Sequence, residues 1–285
     1  MAGPGNADQI DYWNTVASKP WTHYQAQLDR QLDPLGRRAM QALAVQPGER
    51  VLDVGCGCGQ TSVQLAEAAG SGGEVVGADI SRPMLDVARQ RTPPSGAAPL
   101  SFIEADAQEA DLGQGRFDAA FSRFGVMFFA DPKRAFANIG RALRPGGRLA
   151  FVCWRPFVEN VWMSGPFYAA AAIVGAPAAP PTPRSPGPFA FAEAGYVEDI
   201  LEAAGFTDVS VAGHDALIGS GDAAATLDLS LHVGGPLAVA LREQPGLTPA
   251  AAKAVAAWLA THAVRTGDQV RLPAAVWIVT GRRPG

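Results

Sequence analysis

The densest chemical signal in the chain is Asp53-Val54-Gly55-Cys56-Gly57-Cys58-Gly59. Glycine at alternate positions lets a turn close tightly and lets backbone approach a ligand. Dinucleotide-binding turns use this device with the spacing Gly-x-Gly-x-x-Gly. Here the third glycine comes one residue early, and Asp53, an acid two residues before the first glycine, is foreign to that fingerprint. Two more carboxylates follow. Asp79 lies 24 residues after Gly55, and a carboxylate at a strand end can accept both hydroxyls of a ribose. Asp106 can accept a hydrogen bond from the exocyclic amine of an adenine. Together the three acids and the turn point to a ligand that carries a nucleoside.

These residues need a scaffold that gathers strand ends. Residues 50–54 form a short apolar run that ends in glycine and predict a buried strand, followed by a helix from Thr61 to Ala69. Glu74–Ile80, Leu100–Glu104, Phe117–Ser122 and Arg148–Trp154 predict four more strands. Pro83–Arg91 predicts a helix capped by Ser81, and Asp131–Leu143 another, opened by Asp131 and Pro132. Alternation at this spacing means parallel βαβ units with helices on both faces. Upstream, residues 1–9 read as frayed. Ile10–Val45 reads as at least two helices, interrupted by Pro20 and Pro34. Downstream, residues 157–174 read as helical. Ala176–Pro188, with six prolines, reads as an extended surface loop. Ala192–Ala204 predicts a helix, Thr207–His214 a sixth strand, residues 216–266 a mostly helical insertion, and Ala274–Thr280 a seventh strand.

Composition narrows the function classes. The chain has 285 residues, 48% of them hydrophobic, and a net charge of −4. Nucleic-acid backbones require a basic stripe, and none is visible. No apolar run reaches the ~18 residues of a membrane span, so no membrane insertion is expected. The N-terminal residues lack the basic and apolar regions of a signal peptide. The three cysteines, Cys56, Cys58 and Cys153, cannot all pair, so a reducing cytoplasm is expected. Cys-x-Cys with one distant cysteine is poor zinc spacing, so no metal is expected.

From about Val51 to Trp154 the chain resembles the class I S-adenosylmethionine-dependent methyltransferases. It is most similar to the branch holding the ubiquinone/menaquinone C-methyltransferases and many small-molecule methyltransferases. The resemblance rests on VLDVGCGCG (51–59), VVGADIS (75–81) with PML (83–85), FIEADAQ (102–108), FDAAFSRFGVMFF (117–129) and LRPGGRLAFVCW (143–154). It implies a Rossmann-like α/β fold with a seven-stranded sheet, its last strand inserted antiparallel between strands five and six. It implies S-adenosyl-L-methionine as cofactor and a small molecule as methyl acceptor. Gly55, Cys56, Gly57 and Gly59 would line its methionine part, Asp53 would order the turn and help hold the ammonium, and Thr61 joins this set. Asp79 would take the ribose, with Ile80 and Met84 against the adenine. Asp106 would meet the adenine amine beside Ala107, and Ser122 would lie near the methionine part. The implied organisation is an N-terminal helical lid (1–45), a cofactor-binding core (46–156), a region holding a helical insertion, the Pro-rich loop and strand six (157–215), a helical cap (216–273) and a final core strand (274–285).

Methyl transfer to a hydroxyl or an activated carbon needs a base. His214, at the expected end of strand six, and His23, between Trp21 and Tyr24, are the catalytic candidates. His232, in the expected roof of the substrate pocket, is a substrate candidate. Arg123 follows Ser122 at the end of strand four. It could pair with a substrate carboxylate or tie down the Phe124–Phe129 loop, and Phe124 could form an apolar wall. Trp13 and Trp21 would close over the sulfonium as an electron-rich wall, or simply pack their helices on the sheet. Two alternatives stand beside methyl transfer: a non-catalytic module that binds S-adenosylmethionine, and an NAD-dependent oxidoreductase. The acceptor atom (oxygen, nitrogen or carbon) and the oligomeric state are open.

Overall fold

The computed structural model describes residues 6–175, 184–233 and 235–285. Three helices open the chain: α1 (Ala7–Thr15), α2 (Ser18–His23) and α3 (Gln25–Leu43). The core follows as β1 (Arg50–Val54), α4 (Gln60–Ala69), β2 (Glu74–Asp79), α5 (Arg82–Ala88), β3 (Leu100–Glu104), β4 (Phe117–Arg123), α6 (Pro132–Ala142) and β5 (Leu143–Trp154). The rest comprises α7 (Val161–Val174), α8 (Ala194–Ala203), β6 (Thr207–Gly221), α9 (Ala223–His232), α10 (Gly235–Glu243), α11 (Thr248–His262), β7 (Val264–Thr266) and β8 (Gln269–Arg282).

The sheet order is β3-β2-β1-β4-β5-β8-β6, with β7 paired to β8. Strands β1 to β5 are parallel, and β8 runs antiparallel to both β5 and β6. The final strand therefore lies between the fifth and sixth, as the family pattern implies. The sheet has eight strands where seven are expected; the extra one is β7, which forms a hairpin with the early part of β8. From β1 the chain builds outward to β2 and β3 on one side and to β4 and β5 on the other. That reversal opens a crevice at the carboxyl ends of the strands, where ligands bind in such sheets. In β1, residues Val51 to Val54 are all buried, because helices cover both faces. Phe117, Phe121, Phe136, Phe151 and Phe191 are among the largest fully buried side chains.

Several local expectations are revised. Residues 7–9 are helical rather than frayed, as the start of α1. Pro34 lies inside α3 and does not end it. Pro20 stands in the first turn of α2, where a missing N–H leaves no bond unmade. Strand β6 continues past His214 to Gly221, which shortens the helical insertion. Asp131 caps α6 by accepting from the Arg134 amide at 3.1 Å. Ser81 holds the cap position of α5, but its hydroxyl donates to the Trp13 carbonyl at 2.8 Å. That bond ties α1 to the β2–α5 turn. Asn14 reinforces the tie, donating to the Ile80 carbonyl at 2.8 Å and accepting from the Arg82 amide at 3.0 Å. Most of the Pro-rich loop lies outside the described residues.

Candidate cofactor and acceptor site

The glycine turn is forced by its neighbours. Gly55 has φ 66°, and a Cβ there would lie 2.7 Å from the Gly125 Cα. The turn after β1 and the turn after β4 therefore touch backbone to backbone, which only glycine permits. Gly57 has φ 55°, and its missing Cβ would lie 2.9 Å from the Met84 methyl. The Gly57 amide donates to one Asp79 oxygen at 2.7 Å, and the Ser81 amide donates to the other at 2.8 Å. Asp79 thus couples the end of β2 to the glycine turn. Burial raises its pKa, while those amides oppose the shift.

Asp53 lies behind the turn, fully buried. One of its oxygens accepts from the Thr61 and Ser62 hydroxyls, both at 2.6 Å, which anchors the first turn of α4. The other oxygen has no partner. Burial pushes the carboxyl up to about 6, against the two hydroxyl bonds and the Arg123 charge. Its side chain orders the turn but does not line the cavity in front of it.

That cavity has a volume of about 160 Å3. One side is made of strand ends and their turns: Gly55, Cys56, Gly57, Asp79, Ile80 and Asp106. Asp106 accepts from the Asn6 side-chain amide at 3.3 Å and from the Gln108 amide at 2.9 Å. Trp13 and Trp21 also line the cavity, packed edge to face with ring centroids 5.7 Å apart; Trp13 also meets Phe128 at 4.9 Å. Opposite stands an apolar wall that includes Leu28, Leu32, Phe124, Trp154, Trp162 and Leu229. Phe124 stacks on Trp154 at 4.1 Å and has φ 64°, a rare conformation for a bulky residue. Its neighbour Gly125 must pass against Gly55, and the left-handed turn delivers it there.

Arg123 lines the cavity with a side chain only 13% exposed. It donates to the Gln60 amide oxygen at 2.5 Å and pairs with Asp29 at 3.5 Å. Asp29 also pairs with Arg91 at 2.5 Å. Neither sequence reading of Arg123 anticipated this: its partners are on α3 and α4, not on the loop after β4. Gly36 of α3 makes room for it, since a Cβ would lie 2.9 Å from the Arg123 Cδ.

Of the residues singled out in the sequence, the cavity gathers Trp13, Trp21, Gly55, Cys56, Gly57, Thr61, Asp79, Ile80, Met84, Asp106, Ala107, Arg123 and Phe124. It does not gather Asp53, Gly59 or Ser122, whose hydroxyl is buried without a partner. The histidine expectations are also corrected. His23 is exposed and packs edge-on against Tyr24 at 4.7 Å. His214 lies in mid-strand opposite Val276, because β6 runs on past it along the sheet edge. His232 stacks on Tyr24 at 5.9 Å and pairs with Asp228 at 3.0 Å. Among the described residues no histidine lines the cavity. Cys56 and Cys58 do line it as free, buried thiols; burial pushes Cys58 up to about 12 and Cys56 up as well. They are small neutral packing groups, and no metal-binding cluster is found among the described residues. Sequence reasoning passed over Gln25, Asp29, Trp154 and Leu229. An acid repeated four residues apart in α3, Asp29 and Asp33, is the available signal for one face of that helix meeting charged partners.

Residues 52–151 match the family described as "Methyltransferase domain". Over this segment the chain is similar to methyltransferase domains. A demethylmenaquinone methyltransferase from Thermus thermophilus is 39% identical over 120 residues, 42% of this chain and 54% of that protein. Nocamycin O-methyltransferase from Saccharothrix syringae is 33% identical over 183 residues, 62% of this chain and 65% of that protein. The chain thus spans less than two thirds of either relative. The likeness of fold extends beyond the matched segment: the crystal structure of YcgJ from Bacillus subtilis superposes with a TM-score of 0.57 at 15% identity, covering 89% of this chain and 99% of that one.

Proposed function

We propose that the protein transfers a methyl group from S-adenosylmethionine to oxygen, nitrogen or carbon of a small molecule. One observation carries this reading. A single cavity joins a backbone-lined cradle with carboxylates at two strand ends to a continuous apolar and aromatic wall. The cradle fits the cofactor. The glycine turn brings backbone to the cavity surface, Asp79 and Asp106 are carboxylates that would accept from ribose hydroxyls and an adenine amine, and the indoles of Trp13 and Trp21 suit a cation. When bound, the cofactor supplies an electrophilic methyl on a sulfonium.

The residues of this chain orient the acceptor and exclude water. In-line transfer requires nucleophile and methyl about 3–3.5 Å apart, so the wall must be stiff. The Phe124–Trp154 stack, held by β4 and β5, provides that stiffness. The carboxylates lining the cavity already have partners: Asp29 has two arginines, Asp79 two backbone amides, and Asp106 an amide and Asn6. With no histidine there, proton removal falls to solvent or to the acceptor's own acidity. The relatives' names, one an O-methyltransferase, support a small-molecule acceptor. Three buried, free cysteines support a reducing, cytoplasmic setting. The test is transfer of label from methyl-labelled S-adenosylmethionine to a panel of phenols, carboxylic acids and arylamines. Labelled product supports the reading; cofactor binding with no transfer to any member favours the non-catalytic module.

A further inference from the structure

A second pocket adjoins the cavity, and Trp162, Met163, Leu229 and Val233 line both. Its volume is about 20 Å3. A space of about 10–15 Å3 already admits one water-sized group, so this pocket has room for a single small end group and not for a ring. Every side chain lining it is uncharged, so an ion entering would find no partner.

Its polar groups are unusual. Thr226 of α9 is only 7% exposed, and its hydroxyl has no hydrogen-bond partner. The indole N–H of Trp162, on α7, has none either. Gln31 of α3, 5% exposed, lines the same pocket. Ser230 is satisfied, since its hydroxyl donates to the Thr226 carbonyl at 2.7 Å. Buried polar groups are nearly always paired, so two unpaired ones beside one pocket call for an explanation. An indole N–H can only donate, and a threonine hydroxyl can donate as well. The atom that satisfies both is an acceptor, such as a carbonyl, ether or hydroxyl oxygen.

We infer that the methyl acceptor is a neutral, elongated, largely apolar molecule whose far end carries an oxygen received by Thr226 and Trp162 in this pocket. The inference rests on the methyl-transfer reading for the word acceptor. The subsite itself is independent of it. The apolar wall of the main cavity holds the body of the molecule, and the shared residues carry it from one space into the other.

The test uses three probes on the whole chain, titrated calorimetrically with and without S-adenosylhomocysteine: 4-phenylcyclohexanone, phenylcyclohexane and 4-phenylbenzoate. The ketone should bind about tenfold more tightly than the hydrocarbon, and the carboxylate more weakly than the ketone. Thr226→Val should reduce the ketone to the affinity of the hydrocarbon without changing the latter, Trp162→Phe should narrow the ratio of ketone to hydrocarbon affinity, and Thr226→Ser should retain the preference. Equal affinities in the unaltered chain, a preference that survives both substitutions, a favoured carboxylate, or no binding of any probe would overturn the inference; a lone water in the pocket gives the first of these results. S-adenosylhomocysteine binding is read in the same samples. If it persists while the probes fail, only the subsite is wrong; if it is itself absent, the methyl-transfer reading fails.

Discussion

The two sides of the cavity are built differently. The strand-end side is made of backbone: glycines that touch other glycines, and a carboxylate, Asp79, gripped by two amides. The opposite side is made of side chains on α3, α7 and α9 and at the ends of β4 and β5. A backbone wall admits few changes, because each atom is fixed by the sheet. A side-chain wall can be re-cut one residue at a time. The first suits a ligand common to a family, the second a ligand particular to one member.

The comparison breaks most readily at Gly55. Gly55→Ala sets a Cβ against Gly125 backbone at φ 66°, so a loss of roughly 3–4 kcal/mol is expected in urea unfolding. Gly146→Ala is the control. Its φ is 73° but nothing lies within 4 Å, and a loss of only about 1 kcal/mol is expected. Equal losses would mean that the backbone contact between the two turns is unimportant.

Asp79 and Leu229 separate the two sides by function. Asp79→Ala should weaken S-adenosylhomocysteine binding by at least about 100-fold, through the loss of charge-assisted bonds. Leu229→Ala should leave that affinity within about twofold and raise the acceptor KM by about tenfold. If Leu229→Ala weakens the cofactor as much as Asp79→Ala does, the sides are not separable.

Asp53 gives a smaller, pH-dependent effect. Its folded pKa of about 6 lies above the ordinary aspartate value of 3.8, so the folded state binds the proton more tightly than the unfolded state. Its stabilising contribution is complete below pH ~4 and disappears as pH rises through about 6. Relative to Asp53→Asn, the unaltered chain should lose roughly 2–3 kcal/mol of stability across that window. A difference that does not change with pH would show that Asp53 is ionised throughout. The smallest effects belong to His23→Ala and His214→Ala, each expected to change turnover by less than about twofold; a large drop in either would restore a histidine base.

The two sides also differ in how legible they are in sequence. The strand-end side follows from local chemistry: an apolar run, a turn that only glycine can make, and an acid at the next strand end. These features keep that half of the site within short contiguous segments. The other side is assembled from distant segments. Helix α7 is apolar nearly all round, so no periodicity tells which of its residues face a ligand. The local pattern ends β6 at His214, seven residues short of Gly221, and so puts that histidine at a strand end. Ser81 reads as a cap by type and position, yet it serves a carbonyl on α1 that the sequence brings close only through the fold. Pro34 shows the converse, since a local helix breaker yielded to the packing of α3 on the sheet, where Leu32, Leu35 and Ala39 are buried.

The account is tested most directly by calorimetric titration of the purified chain with S-adenosylhomocysteine and, separately, with NAD. It predicts micromolar binding of the first and none of the second. Binding of NAD alone would contradict it, because the same glycine turn and the same Asp79 would then serve a different cofactor.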